Sequence, residues 1–353
     1  MDQNEQQHEG LDRRGFMKTS AAAAVSAAVA TSAGTSWAQK KPGDDGLIHR
    51  NERPDKMTYR KLGNTNFMCS RLVFGCGAAL AGGKSVRLLE TSFEAGVNFY
   101  DVGSNVYYKG SEKTLSPFLK AHKGDVWVAS KAPLRPLPDH EVGTPLTVEQ
   151  GKFLADYWTR LLEESLKDLD VDYVDAYYLM AVGDPAVAKS EELYQAFLKA
   201  KEAGKVGHWG ISTHKRAEQV LEAMIETGWY DLVQIAVTPA GWYDWDSRSL
   251  LEGTPPMAEL QPTLDRAREA GIGLIGMKAG RYIAPKMSGG NATENAFDEY
   301  YPQTLMEADL TPFQRSYAYV LEHGLDAVNA DMQNYNHFEQ NLAATAKAHE
   351  YFA

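Results

Sequence analysis

Asp101 and Lys131 are the pair in this chain whose types and positions most readily suggest chemistry. Each ends a short, apolar, β-rich run. An acid and an amine ending neighbouring strands of one sheet would face each other at its rim. Burying either charge alone is costly, so the two should pair. A paired carboxylate and ammonium in a cleft is a candidate site, because each sets the other's protonation. The competing reading is a buried ion pair that only closes the protein. Met180, Ser212, Gln234 and Lys278 stand at the ends of four further runs and join the list.

Such residues need strands to hold them. From residue 57 onward, β-rich runs alternate with amphipathic stretches. The runs at 72–76, 98–101, 126–130, 173–179, 206–211, 232–236, 273–277 and 326–329 are short and nearly continuously apolar. That is the pattern of a strand covered on both faces. Between them, Leu154, Trp158, Leu161, Leu162, Leu166 and Leu169 recur at helical spacing after Thr147-Val148-Glu149-Gln150, a capping box. Eight strand–helix units argue for an α/β fold, a (β/α)₈ TIM barrel, with its chemistry at the C-terminal ends of the strands. Residues 57–62 and 67–70, joined by Gly63-Asn64-Thr65-Asn66, read as a β-hairpin ahead of it. A doubly wound sheet would want Gly-x-Gly-x-x-Gly after its first strand. Gly75-Cys76-Gly77-Ala78-Ala79-Leu80 lacks the third glycine, so the barrel is preferred.

Composition narrows the partners. The 353 residues are 44% hydrophobic and 24% charged, an ordinary globular balance. A formal net charge of -11 would repel nucleic acid and anionic lipid. No apolar run is long enough for stable membrane insertion. Cys69 and Cys76 are too few for a disulfide framework or a thiolate cluster, and no metal site is expected. Residues 1–38 read as an address. Arg13-Arg14 precedes a mildly apolar Ala-rich run, and Ser36-Trp37-Ala38 offers a small-x-small end. This is the form of a twin-arginine (Tat) signal peptide, which implies the Tat export machinery as a partner and a periplasmic or otherwise exported product. Its removal leaves a net charge of -10. Residues 39–56, polar and with Pro42 and Pro54, read as a flexible linker, and 57–353 as the barrel.

Over 57–353 the chain resembles the aldo/keto reductase family. Arg60-Lys61-Leu62-Gly63-Asn64-Thr65 resembles the family's opening hairpin. Ala95-Gly96-Val97-Asn98-Phe99-Tyr100-Asp101 resembles the strand ending in its catalytic Asp, and Val128-Ala129-Ser130-Lys131 the strand ending in its catalytic Lys. Ser111-Glu112 matches the pair that follows its catalytic Tyr, and Gly204 to Ser212 resembles its Gly-Lys-Ile…Gly-Val-Ser strand. The resemblance implies hydride transfer between a nicotinamide cofactor, NADP or NAD, and a small carbonyl or alcohol. A Tyr hydroxyl gives the proton, a Lys lowers its pKa and an Asp holds the Lys. Counting back from Ser111-Glu112 makes Tyr107 the expected acid, with Tyr108 its rival. Met180 stands where the family has its His, and a thioether has no proton to donate.

The same resemblance implies cofactor contacts from Ser212, Thr213, Gln234, Lys278, Gln340 and Asn341. The segment 331–337, where many members hold a 2'-phosphate, has no Lys or Arg and contains Asp331. Trp242, Tyr243 and Trp245 are candidates for a substrate pocket, residues 282–309 for a lid, and His140 for a substitute imidazole. Cys76 reads as buried packing. The expected function is therefore an exported aldo/keto reductase-type oxidoreductase. The alternative is a catalytically impaired barrel kept as a periplasmic binding or structural protein.

Overall fold

The chain enters its core through the expected hairpin. In the computed structural model, which describes residues 42–286, 290–346 and 352, β1 (Tyr59–Lys61) pairs antiparallel with β2 (Met68–Ser70), Tyr59 opposite Ser70. The candidate signal segment 1–38 lies outside the described residues. The hairpin closes the floor of the barrel. Asn64 N donates to Gly271 O at 2.8 Å, and Leu62, Phe67 and Cys69 pack into the apolar cluster inside the strands.

All eight expected strands form: β3 (Leu72–Gly75), β4 (Phe99–Asp101), β5 (Trp127–Pro133), β6 (Val174–Met180), β7 (Val206–Thr213), β8 (Leu232–Thr238), β11 (Gly273–Met277) and β12 (Ala327–Asp331). They pair in parallel, β12 meets β3, and β7 meets β8, so the sheet closes on itself. Nearly every strand residue is buried, because helices cover the outside and side chains fill the inside. Between β8 and β11 the chain adds a second hairpin, β9 (Gly241–Asp244) with β10 (Ser249–Leu250), which the sequence did not announce.

One helix shows the local logic. Val148–Leu169 starts at Thr147, whose hydroxyl accepts from Gln150 N at 3.2 Å, while Gln150 Oε1 accepts from Thr147 N at 2.9 Å. Leu154, Trp158, Leu161, Leu162, Leu166 and Leu169 are all buried on its inner face. Full burial of such a side chain contributes roughly 1.5–3 kcal/mol. Thr147→Ala would cost about 1 kcal/mol by freeing a terminal N–H.

The expected linker is a correction. Residues 42–46 are exposed, but from Ile48 to Lys56 the segment is docked onto the barrel. Ile48 bridges to Phe67, and the Asn51 amide donates to Phe93 O at 2.8 Å. Arg50, 4% exposed, forks onto Asp175 at 2.7 and 3.0 Å. Polar composition suggested mobility, but here the polar groups satisfy buried partners.

Candidate active site

Alternate residues of a barrel strand point inward. Val73, Phe99, Ala129, Tyr178, Leu232, Ile275 and Ala327 form an apolar layer inside the barrel. Two residues further along the same strands come Gly75, Asp101, Lys131, Met180, Gln234, Met277 and Asn329, and β7 adds Ser212. These eight residues line one cavity of about 600 Å³ at the C-terminal mouth. The period of two thus brings one residue from every strand to a common site.

Asp101 is its centre. Its Oδ2 takes the Lys131 ammonium and, at 2.5 Å, the Asn329 amide. Its Oδ1 takes the Gln234 amide at 2.8 Å. Lys131 also donates to Val102 O at 2.7 Å. Both charges are nearly fully buried. Asn329 Nδ2 further reaches Gln234 Oε1 at 3.3 Å. The ion pair expected from the sequence is present, and Asn329 is an addition to it. Only the closure of β12 onto β3 brings Asn329 near an acid so remote in the chain.

The tyrosines exchange their expected places. Tyr107 is 55% exposed and takes no part in the cavity wall, whereas Tyr108 lines it. The short helix Asn105–Tyr108 explains this, since consecutive residues on a helix point about 100° apart. Two glycines make room for the Tyr108 ring. A Cβ on Gly77 would lie 2.6 Å from it, and one on Gly103 2.7 Å. The phenol is pushed up from its ordinary value, first by burial and then by the Asp101 charge. This is opposite to the lowering that a close Lys cation would cause; the Lys131 ammonium gives its hydrogen bonds to Asp101 and Val102 O.

Met180 lies where expected, at the end of β6, 5% exposed and lining the cavity. His140 does not replace the missing imidazole. It pairs with Asp184 at 2.6 Å and is absent from the cavity wall. His214, which no motif singles out, is in that wall. Burial, then the charges of Lys278, Lys131 and Lys215, bring its pKa down to about 3. It is therefore a neutral imidazole, able to donate or accept. Its signal was its place directly after Ser212-Thr213.

Of the expected cofactor contacts, Ser212, Gln234, Lys278, Gln340 and Asn341 line the cavity. Thr213 does not, and its hydroxyl donates to Lys215 O at 2.9 Å. Gln234 spends its amide N–H on Asp101, and its Oε1, which accepts from Asn329 at 3.3 Å, has a second lone pair for a ligand amide. Arg281 joins the wall, as do Asp331, Gln333 and His337. The residues present suit a dinucleotide: hydroxyl and amide groups from β7 and β8, two cations from the end of β11, and amides on the last helix, Tyr335–Ala346. Trp242 and Tyr243, expected in a substrate pocket, are 1% exposed and outside the wall. From the candidate lid, Ala284 is in the wall, as is its neighbour Pro285. Cys76 is fully buried, as expected, and burial pushes its thiol up.

Comparison with known proteins places this arrangement. Residues 73–278 match the model of the aldo/keto reductase family. The chain is 25% identical over 323 residues to "Probable aldo-keto reductase 1" of Glycine max, covering 81% of this chain and 84% of that protein. It is 29% identical over 168 residues to L-galactose dehydrogenase of Arabidopsis thaliana, covering 44% of this chain and 49% of the other. In fold it is similar to the holo form of an aldo-keto reductase from Bacillus halodurans, with a TM-score of 0.57 at 20% identity over 84% of this chain and 95% of that one.

Proposed function

The chain belongs to the aldo/keto reductase family and is an oxidoreductase of that type; from that premise we propose that it is exported by the Tat route and reduces a small carbonyl compound at the Asp101–Lys131–Tyr108 mouth. The observation that carries the reading is the buried Asp101–Lys131 pair, open on one side to a cavity that Tyr108 also lines. The supporting sign of export is Arg13-Arg14 ahead of its Ala-rich run.

A bound nicotinamide dinucleotide supplies the hydride. Ser212 and Gln234 Oε1 would hold its carboxamide, Lys278 and Arg281 its phosphates, and Gln340 and Asn341 its adenine end. Tyr108 gives its phenolic proton to the carbonyl oxygen as charge develops there. The phenol is protonated at neutral pH even at its ordinary pKa, so it is in the acid form that reduction needs. Lys131, fixed by Asp101, offers the phenolate a cation once the proton has left. Met180 contributes an apolar wall, and the neutral His214 is one of two imidazoles, with His337, that line the cavity among the described residues. Asp331 beside the cavity weakens the usual advantage of a 2'-phosphate.

The test is loss of NADPH or NADH absorbance at 340 nm with a panel of short aldehydes and ketones, run on purified protein. Carbonyl-dependent oxidation abolished by Tyr108→Phe is the expected result. No turnover with any member, together with no dinucleotide binding, would contradict the reading and favour the binding-protein alternative.

A further inference from the structure

The helix that carries the acid does not support itself. Asn105–Tyr108 is four residues long and buries none of them fully. A single helical turn fixes more backbone freedom than its own hydrogen bonds repay. Contacts outside the helix must therefore set where Tyr108 points. Two such ties flank it, and they land on neighbouring residues of β5. Ahead of the helix, Ser104 N donates to Lys131 O at 3.0 Å. Behind it, Glu112 Oε1 accepts from the Ser130 hydroxyl at 2.6 Å. Ser130 directly precedes Lys131, so the alternation of a strand turns its side chain out of the barrel where Lys131 turns in.

Glu112 differs from the other buried carboxylates. Asp101, Asp175 and Asp326 each have a cation. Glu112 is 1% exposed and is held by neutral donors instead. Burial raises its pKa, and against that the Ser130 hydroxyl, the Ser165 hydroxyl and the Asn105 N–H favour the charged form. An N–H can only donate, so it needs an acceptor oxygen. Asn105 opens the acid helix, and Ser165 belongs to Val148–Leu169, where its hydroxyl lies 3.0 Å from that of Tyr177 on β6. One carboxylate thus joins the acid helix, β5 and the long helix packed behind them. The residue before it adds a further tie, the Ser111 hydroxyl lying 2.6 Å from both Tyr108 O and Gly77 O. Glu112 itself is outside the cavity wall. We propose that Glu112 is a positioning residue for the proton donor: by way of Ser130 and the Asn105 N–H it fixes the Tyr108 helix against the strand that carries Lys131, and so sets the approach of phenol to ammonium. The clamp stands on this geometry, and only its effect on turnover rests on the proposed function.

Two readouts on the purified full-length protein test this, with Glu112→Ala, Glu112→Gln and Ser130→Ala. The first is backbone hydrogen exchange followed by mass spectrometry. Peptides spanning 104–110 should exchange at least about tenfold faster in Glu112→Ala, while β8, across the barrel, keeps the wild-type rate. The second is carbonyl reduction. In Glu112→Ala kcat per folded molecule should fall about 10²-fold, with the dinucleotide Kd within about twofold of wild type. Glu112→Gln, whose amide oxygen still accepts from Ser130, should stay within about tenfold of wild type. Ser130→Ala should lower kcat about tenfold, and it carries the test should Glu112→Ala not fold. A purely structural role would lower the folded fraction and leave kcat per folded molecule unchanged. That result, or wild-type exchange at 104–110 in the variants that fold, overturns the inference. A wild-type protein that reduces no carbonyl would contradict the proposed function, and exchange at 104–110 alone would then decide the clamp.

Discussion

Among the described residues, two Arg/Lys–carboxylate pairs are buried at both partners, one at each end of the barrel. At the floor, Asp175 takes both nitrogens of the Arg50 fork and the Val128 N–H, and Arg50 also donates to Val126 O. The partners close on one another. At the mouth, Asp101 holds Lys131 together with the Gln234 and Asn329 amides, and both charges line a cavity that contains Tyr108. Burial is nearly equal at the two ends. An ion pair deep in a protein therefore does not by itself mark a site. The difference lies in the opening, and in a lysine point charge that can act on a neighbour, where the arginine fork is used up.

The comparison can be broken in steps. The largest effect belongs to the mouth. Tyr108→Phe should lower kcat by about 10²–10⁴ with the melting temperature unchanged, while Tyr107→Phe stays near wild type. The pH profile of kcat should show no step near 6.5 from His214, whose pKa burial brings down to about 3, and no loss of the acid form until well above the usual phenol range. Next comes the floor. Arg50→Met strands the Asp175 charge and should cost about 3–5 kcal/mol of stability, read by urea unfolding, while the folded enzyme keeps its kcat. Asn329→Leu should sharpen the contrast. Losing a hydrogen bond to a charged group is worth about 1.5–3 kcal/mol, so a fall in kcat of roughly tenfold to a hundredfold is expected, with little change in KM. A double-mutant cycle with Asp101→Asn would show coupling if Asn329 acts through the carboxylate. Smallest is cofactor choice. NADPH and NADH should bind within about tenfold, or 1.4 kcal/mol, of each other in a fluorescence titration. A hundredfold preference for NADPH would show that Lys278 or Arg281 reaches the 2'-phosphate.

The sequence made the two ends unequally legible. The mouth acid and amine were visible because each closes a continuous apolar run, and a barrel puts such ends together. The strands were visible for the same reason, and the capping box at Thr147 gave a helix start correct to the residue. Asn329 was not visible, since nothing local distinguishes an amide at the end of the eighth strand. Its meaning comes from barrel closure. Counting along the chain points to Tyr107 and cannot resolve one step of rotation in a four-residue helix, which turns Tyr108 to the cavity. The floor was missed for a chemical reason. Arg50 and Asn51 sit in a stretch whose polarity and prolines signal a linker, yet they serve to satisfy buried oxygens. The β9–β10 hairpin was read as aromatic lining, when Trp242 and Tyr243 are packed away and Trp245 faces cations.

The measurement closest to the central claim is the kcat of Lys131→Met set beside that of Arg50→Met, each on protein whose folded fraction is measured in the same sample. The account predicts that Lys131→Met loses at least about 10² in kcat per folded molecule, since the phenolate forms without its cation, while Arg50→Met keeps the wild-type value. A Lys131→Met enzyme that turns over within tenfold of wild type would contradict it, and would make the mouth pair a second structural ion pair.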